Sequence, residues 1–182
     1  MRIIAGTAKR IGLVSPMGLT TRPTSDMAKE NLFNIIAPQI RDAIFLDLFC
    51  GSGAIGLEAL SRGASEAVLV DNCKNAISAA QQNIVKTRLP ANLMQMPVQA
   101  ALAQLQAAKR QFDIIFLDPP YDDSNLLEKT LTTLATSSLL AEGGMIIAET
   151  DMEVQAPKQL QLTDTRKYGR TSFLFYERKA EV

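Results

Sequence analysis

The residues best suited to chemistry stand together at Asp118-Pro119-Pro120-Tyr121, directly after the apolar run Phe112-Asp113-Ile114-Ile115-Phe116-Leu117. An exocyclic amino group on a nucleic-acid base is a poor nucleophile, because its lone pair is delocalised into the ring. Two acceptors on its two N–H bonds turn that lone pair towards an incoming methyl. The Asp118 carboxylate and the Pro119 carbonyl are candidates for those acceptors. Consecutive prolines fix φ and preorganise the turn. Tyr121 is expected to stack on a base that has left its helix or loop. The competing reading is purely structural: a Pro-Pro turn closing a buried strand, with Tyr121 as filler. The turn alone does not require all four residue types in this order.

A second constellation lies upstream, in Leu46-Asp47-Leu48-Phe49-Cys50-Gly51-Ser52-Gly53-Ala54-Ile55-Gly56. The glycines spell GxGxxG, a weak signal for a nucleotide-type cofactor by itself. Asp71 follows about twenty residues later, where a carboxylate accepts ribose hydroxyls. Dinucleotide sites need bare N–H groups facing a pyrophosphate, and Asp47, four residues before the first glycine, would repel that anion. S-adenosylmethionine carries a sulfonium and an ammonium instead, so an acid there is complementary. The expected cofactor residues are Asp47, Phe49, Gly51, Ser52, Gly53, Asp71 and Asn72. A structural turn role for Asp47 is the alternative.

These residues need a sheet to hold them. The apolar runs 43–46, 67–70, 112–117 and 144–148 suit strands of a parallel sheet covered on both faces. Helical stretches over 54–62, 74–87, 98–108 and 125–135 alternate with them, with Gly63 as a stop for the first. This rhythm predicts an α/β, doubly wound, mostly parallel sheet. Residues 159–162 and 171–176, separated by a polar turn, predict a C-terminal hairpin that adds an antiparallel strand. Residues 2–20 read as a small β-hairpin, and 25–36 as a helix with Leu32, Phe33 and Ile36 inward.

The chain has 182 residues, 47% apolar and 21% charged, and fits one domain. No apolar run is long enough to span a bilayer, and no export signal is apparent, so a cytoplasmic protein is expected. The chain has no histidine, which excludes histidine triads and the common zinc-hydrolase sites. No metal is expected. Cys50 and Cys73 flank the loop and Asp71, and both read as packing residues. Net charge is zero, but the two ends are basic. Lys9, Arg10, Arg22 and Arg170 are the candidate phosphate contacts, if the ends fold onto one face; ordinary solvated charge is the alternative.

Read together, these residues resemble class I methyltransferases with a (D/N)PP(Y/F) motif, and most closely the RsmD-like bacterial enzymes that modify guanine N2 in 16S ribosomal RNA. Arg2-Ile3-Ile4-Ala5-Gly6, Arg22-Pro23-Thr24-Ser25-Asp26, Asp47 through Ala64, Asp118-Pro119-Pro120-Tyr121 and Tyr168-Gly169 carry the likeness. It spans essentially the whole chain. The resemblance implies a single Rossmann-like domain, with residues 1–24 as an RNA-gripping hairpin and 25–182 as the S-adenosylmethionine-binding catalytic core. It also implies a monomer that acts on 16S RNA within the small ribosomal subunit or its assembly intermediate. Where that family offers an acid or Asn to the adenine amino group, this chain has Met96-Pro97-Val98-Gln99, and Gln99 is the candidate. Two other readings stay open. One is an adenine-N6 methyltransferase on DNA or RNA, disfavoured by the lack of room for a target-recognition domain. The other is a non-catalytic RNA-binding or assembly factor on the same fold.

Overall fold

The computed structural model describes residues 1–17, 26–120, 124–169 and 171–179. Seven strands form one sheet: β1 (Ile44–Asp47), β2 (Glu66–Asp71), β3 (Asn92–Gln95), β4 (Phe112–Leu117), β5 (Leu140–Thr150), β6 (Leu160–Tyr168) and β7 (Thr171–Arg178). Their order across the sheet is β3-β2-β1-β4-β5-β7-β6. β1 to β5 pair in parallel, and β7 is antiparallel to both β5 and β6. The helices are α1 (Asp26–Ile35), the short α2 (Ala37–Ile40), α3 (Ala54–Ser61), α4 (Lys74–Thr87), α5 (Val98–Ala107) and α6 (Ser124–Thr136).

The core splits by face. Leu32 and Phe33 of α1, Leu57 and Leu60 of α3 and Ala80 of α4 pack with Phe45, Leu69, Phe116 and Ile147 on one side. Val98, Leu102 and Leu105 of α5 and Leu127, Leu131 and Leu134 of α6 pack with Leu46, Val68, Ile115 and Ile146 on the other. Strand residues therefore alternate between two buried faces, which is why these strands read as unbroken apolar runs. The chain leaves β1 for β2 on one flank and returns to β4 on the other. The crevice between β1 and β4 is thus the topological switch point, where open α/β sheets bind ligands. No helix of the described residues is long and apolar enough to cross a membrane.

Several elements differ from the sequence expectation. Among the described residues, the expected N-terminal hairpin shows one bridge, Arg2 with Gly12, flanked by bonds between Ile3 and Ile11 and between Arg10 and Ile3; residues 18–20 of it lie outside the described residues. β6 runs to Tyr168, through what read as a polar turn, and Gly169 follows it at positive φ (+65°). β6 is an edge strand with most residues exposed and a register shift between Leu162 and Asp164, so no clean alternation marks it.

Candidate active site

β1 ends on Asp47 and β2 on Asp71, while Asp118 follows β4 by one residue and Glu149 closes the apolar stretch of β5. Phe45, Leu69, Phe116 and Ile147, two residues earlier in each case, all lie in the core on the α1/α3/α4 side. The two-residue period therefore turns these four carboxyl groups to one face, at the carboxyl edge of the sheet.

The loop after β1 is fixed from several directions. Gly51 and Gly53 take positive φ (+52° and +78°), a backbone that glycine adopts without strain. The Gly51 N–H donates to Asp71 Oδ2 (2.9 Å), and the Cys73 N–H donates to Asp71 Oδ1 (2.8 Å). Each Asp71 oxygen keeps a further lone pair, and a built Cβ at Gly51 would meet nothing within 4 Å, so the loop leaves open space beside the acid. At Gly56 a Cβ would meet the end of the Leu69 side chain at 2.1 Å, so a larger residue there requires Leu69 to move. Phe49 is partly buried against the α5/α6 side of the core, Ser52 is buried, and Asn72 is exposed.

Asp47 is 1% exposed, and the Gly56 N–H donates to its Oδ2 (3.2 Å). Its Oδ1 has no hydrogen-bond partner among the described residues. Burial, augmented by the Asp71 and Glu149 charges, pushes its pKa up to about 7 against the opposing backbone N–H groups of Gly56 and Phe49. A buried, half-satisfied carboxylate is costly unless a cation or donor completes it. The sulfonium and ammonium of S-adenosylmethionine meet that need, and a pyrophosphate would aggravate it. The residues present therefore fit that cofactor.

Asp118 keeps part of its surface open, Pro119 is buried and Pro120 is exposed. Desolvation pushes the Asp118 pKa well up, and the neighbouring Glu149 and Asp47 carboxylates add to the effect. Tyr121, Arg22 and Arg170 lie outside the described residues. Gln99 is engaged with α6. Its amide oxygen accepts from the Thr133 hydroxyl (3.1 Å) and its amide nitrogen meets the Thr130 hydroxyl (3.4 Å), both on α6. At the second position of α5, the side chain packs against α6. Cys50 is buried, with its thiol pKa pushed up by burial and by Asp47 and Asp71, as suits a packing residue.

Four contributors escaped the sequence reading. Glu149 (3% exposed) ends an apolar run in an acid just as β1, β2 and β4 do, a signal present in the sequence. Glu58, Ser61 and Asn83 carry no such signal, because each has backbone partners far along the chain. Glu58 accepts from the Ile4 and Ala5 N–H groups (2.7 and 3.0 Å) and pairs with Lys29 and Arg62. The Ser61 hydroxyl accepts from the Ala8 N–H, and its carbonyl accepts from Thr7. Asn83, fully buried, exchanges two bonds with the Val14 backbone and donates a third to the Ser52 carbonyl (2.9 Å). Residues 1–17 thus descend α3 from the glycine loop, turn beside Ser61, and climb α4 to Asn75, whose amide donates to the Met17 carbonyl. Lys9 and Arg10 are exposed at the turn, a helix length from the loop.

Comparison with known proteins agrees with this geometry. The family model described as conserved hypothetical protein 95 matches residues 1–177. The rRNA methyltransferase homologue YlbH of Bacillus subtilis is 40% identical over 98% of this chain and 100% of its own length. Ribosomal RNA small subunit methyltransferase D of Escherichia coli is 34% identical over 100% of this chain and 91% of its own. The solved structure of the methyltransferase yhhF from E. coli superposes with a TM-score of 0.87 at 34% identity, covering 100% of this chain and 99% of that one. SMU.776, crystallised with SAH, shares the fold at a TM-score of 0.63 and 17% identity, over 81% of this chain and 48% of that one. The chain belongs to the conserved hypothetical protein 95 family, the RsmD-like S-adenosylmethionine-dependent methyltransferases.

Proposed function

We propose that this protein transfers a methyl group to the exocyclic N2 of a guanine in small-subunit ribosomal RNA, acting as a monomer on the subunit or its assembly intermediate. The observation that carries the reading is Asp118-Pro119 at the carboxyl end of β4, directly across the switch crevice from the half-satisfied Asp47. The named relatives supply the RNA: the E. coli relative is a small-subunit rRNA methyltransferase by name.

When bound, S-adenosylmethionine supplies an electrophilic methyl on a sulfonium. Asp47 balances the cofactor's positive charge, Asp71 accepts from its ribose, and the Gly51–Gly53 backbone makes room for it. The Asp118 carboxylate and Pro119 carbonyl accept the two N–H bonds of the target amino group and orient its lone pair along the line of displacement. Tyr121 stacks on the flipped base. No strong base is needed, because the methylated nitrogen becomes acidic and loses its proton to Asp118 or water.

The test is labelled-methyl transfer to small subunits lacking the modification, to matched naked RNA and to DNA, followed by nucleoside analysis. N2-methylguanosine from the subunits is expected. N6-methyladenosine would replace the guanine reading, and no transfer with cofactor bound would leave a non-catalytic binder. Asp118→Ala is expected to lower turnover roughly 10²- to 10³-fold while cofactor affinity stays within about threefold of wild type, close to the precision limit of one weak hydrogen bond. Wild-type turnover in that variant would remove Asp118 from the mechanism.

A further inference from the structure

The glycine loop after β1 needs a brace, because Gly51 and Gly53 both take positive φ and glycine has more backbone freedom than any other residue. Its N–H groups are held at the site itself, Gly51 by Asp71 Oδ2 and Gly53 by the Cys50 carbonyl (2.7 Å). The carbonyl between them is held from α4. The Asn83 side-chain amide donates to the Ser52 carbonyl (2.9 Å), so the Ser52–Gly53 peptide is fixed at both its oxygen and its hydrogen. Asn83 is fully buried, so it cannot touch a cofactor and can act on one only through the loop.

Every polar position of that amide is used. Its second N–H donates to the Val14 carbonyl (2.9 Å), and its Oδ1 accepts from the Val14 N–H (2.7 Å). The orientation is fixed by these partners, since a flipped amide would set its oxygen against two carbonyls. On α4, Asn83 stands among the small buried residues Ala76, Ala79, Ala80 and Thr87. A buried amide is costly unless its bonds are made, and here the loop and the N-terminal arm make them. Ser52 meets the arm a second time. Its hydroxyl donates to Met1 Sδ (3.7 Å), and the Met1 carbonyl accepts from the N–H of Leu13 (3.0 Å), next to Val14. Both limbs of residues 1–17 thus converge on one residue of the loop.

We propose that Asn83 is a positioning residue for the methyl donor: its amide joins the N-terminal arm to the glycine loop, so that the docked arm holds the loop in the form that binds S-adenosylmethionine. The proposal rests on the reading of that loop as the cofactor's seat. When the arm lifts, Asn83 loses two of its three bonds and its amide turns from Ser52 to water. Apparent cofactor affinity then falls in proportion to the fraction of molecules whose loop stays formed. By reciprocity, bound cofactor favours the docked arm. The cofactor site and the segment that carries Lys9 and Arg10 therefore order one another.

The experiment pairs one substitution with a measurement on wild-type protein. Asn83→Ala removes the amide without adding bulk, and it is expected to raise the SAH Kd roughly 5- to 30-fold by calorimetry, the scale of one buried hydrogen bond left unmade. In methyl transfer, KM for S-adenosylmethionine should rise with it. Bound cofactor restores the loop, so kcat at saturating cofactor should stay within about threefold of wild type. Both are measured well below the melting temperature of the variant, where a residue that merely stabilised the fold would leave KM unchanged. An unchanged SAH affinity, or a lower kcat at unchanged KM, would overturn the proposal. In wild-type protein, hydrogen exchange is followed with and without SAH. Exchange at Leu13 and Val14, whose N–H groups are bonded to Met1 and Asn83, should slow together with exchange at Gly53. Slowing confined to the loop would overturn the proposal, and this holds even if Asn83→Ala does not fold. Failure of the loop reading is distinguishable, because SAH would then leave Gly53 itself unprotected.

Discussion

At the scale of single residues, the site is defined by what Asp47 lacks. Its carboxyl is buried, its Oδ2 accepts from the Gly56 N–H, and its pKa is pushed up to about 7 because burial disfavours its charge. An acid whose folded pKa lies above its unfolded value binds more protons folded than unfolded between about pH 4 and pH 7. The apoprotein therefore loses stability as pH rises through that window, and the penalty is complete above it. Cofactor binding has the opposite sign, since a cation needs the ionised form. Affinity for S-adenosylmethionine is expected to fall by up to about tenfold per pH unit below pH 7 and to level off above it. Calorimetric titration between pH 5.5 and 8.5 checks this. Asp47→Asn should flatten the profile, weaken binding, and raise apoprotein melting temperature at pH 8. A pH-independent wild-type affinity would mean Asp47 does not carry the cofactor's charge.

At the scale of elements, the N-terminal segment belongs to the helical layer that covers the site. Glu58 and Lys29 are both buried, and burial lowers the Lys29 pKa against the pull of Glu58. Glu58→Ala would leave Lys29 without its principal carboxylate and the Ile4 and Ala5 N–H groups without acceptors. Removing one member of a buried pair costs about 3–5 kcal/mol, measurable by urea denaturation. Gly6→Ala tests the same seam, because its φ is +81° and a Cβ would lie 1.6 Å from the Ser61 carbonyl oxygen. It should destabilise by at least about 1 kcal/mol, and an unchanged melting temperature would show that the arm is not held as described. Much of this layer was legible in the sequence as helices and parallel strands, because apolar runs and 3.6-residue periods report burial directly. The arm's attachment was not, since Asn83, Glu58 and Ser61 act on backbone atoms more than fifty residues away and look like ordinary helix polar residues. The setting of Gln99 was illegible for a related reason: the sequence gives its position on α5 but not that its amide faces Thr130 and Thr133 of α6.

At the scale of the whole molecule, the question left by the zero net charge is where the basic ends meet the substrate. β7 runs antiparallel to β5, pairing Ser172 with Thr150, so the β6–β7 reversal reaches the same carboxyl edge as Asp118. Lys167, exposed one residue before the end of β6, is carried there, while Arg166 beside it is engaged with Asp164 (2.7 Å). Lys9 and Arg10 stand at the far end of α3, about 12 Å from the glycine loop for an eight-residue helix. Among the described residues, Lys167 and the Lys9–Arg10 pair thus stand at two separate places. An RNA that touches both must run across the site edge and down the α3 flank. Each phosphate contact contributes about 0.9 to the slope of log affinity against log salt on a duplex and about 0.7 on a single strand. Lys167→Ala and Lys9→Ala should each reduce that slope by roughly one contact, and distant contacts should add in the double variant. Catalysis should separate them: at saturating RNA, Lys9→Ala keeps wild-type turnover, whereas Lys167→Ala, beside the edge where the base enters, also slows it. A slope changed by only one of the two would confine the footprint to that patch, and the RNA would then reach Asp118 from one side of the sheet alone.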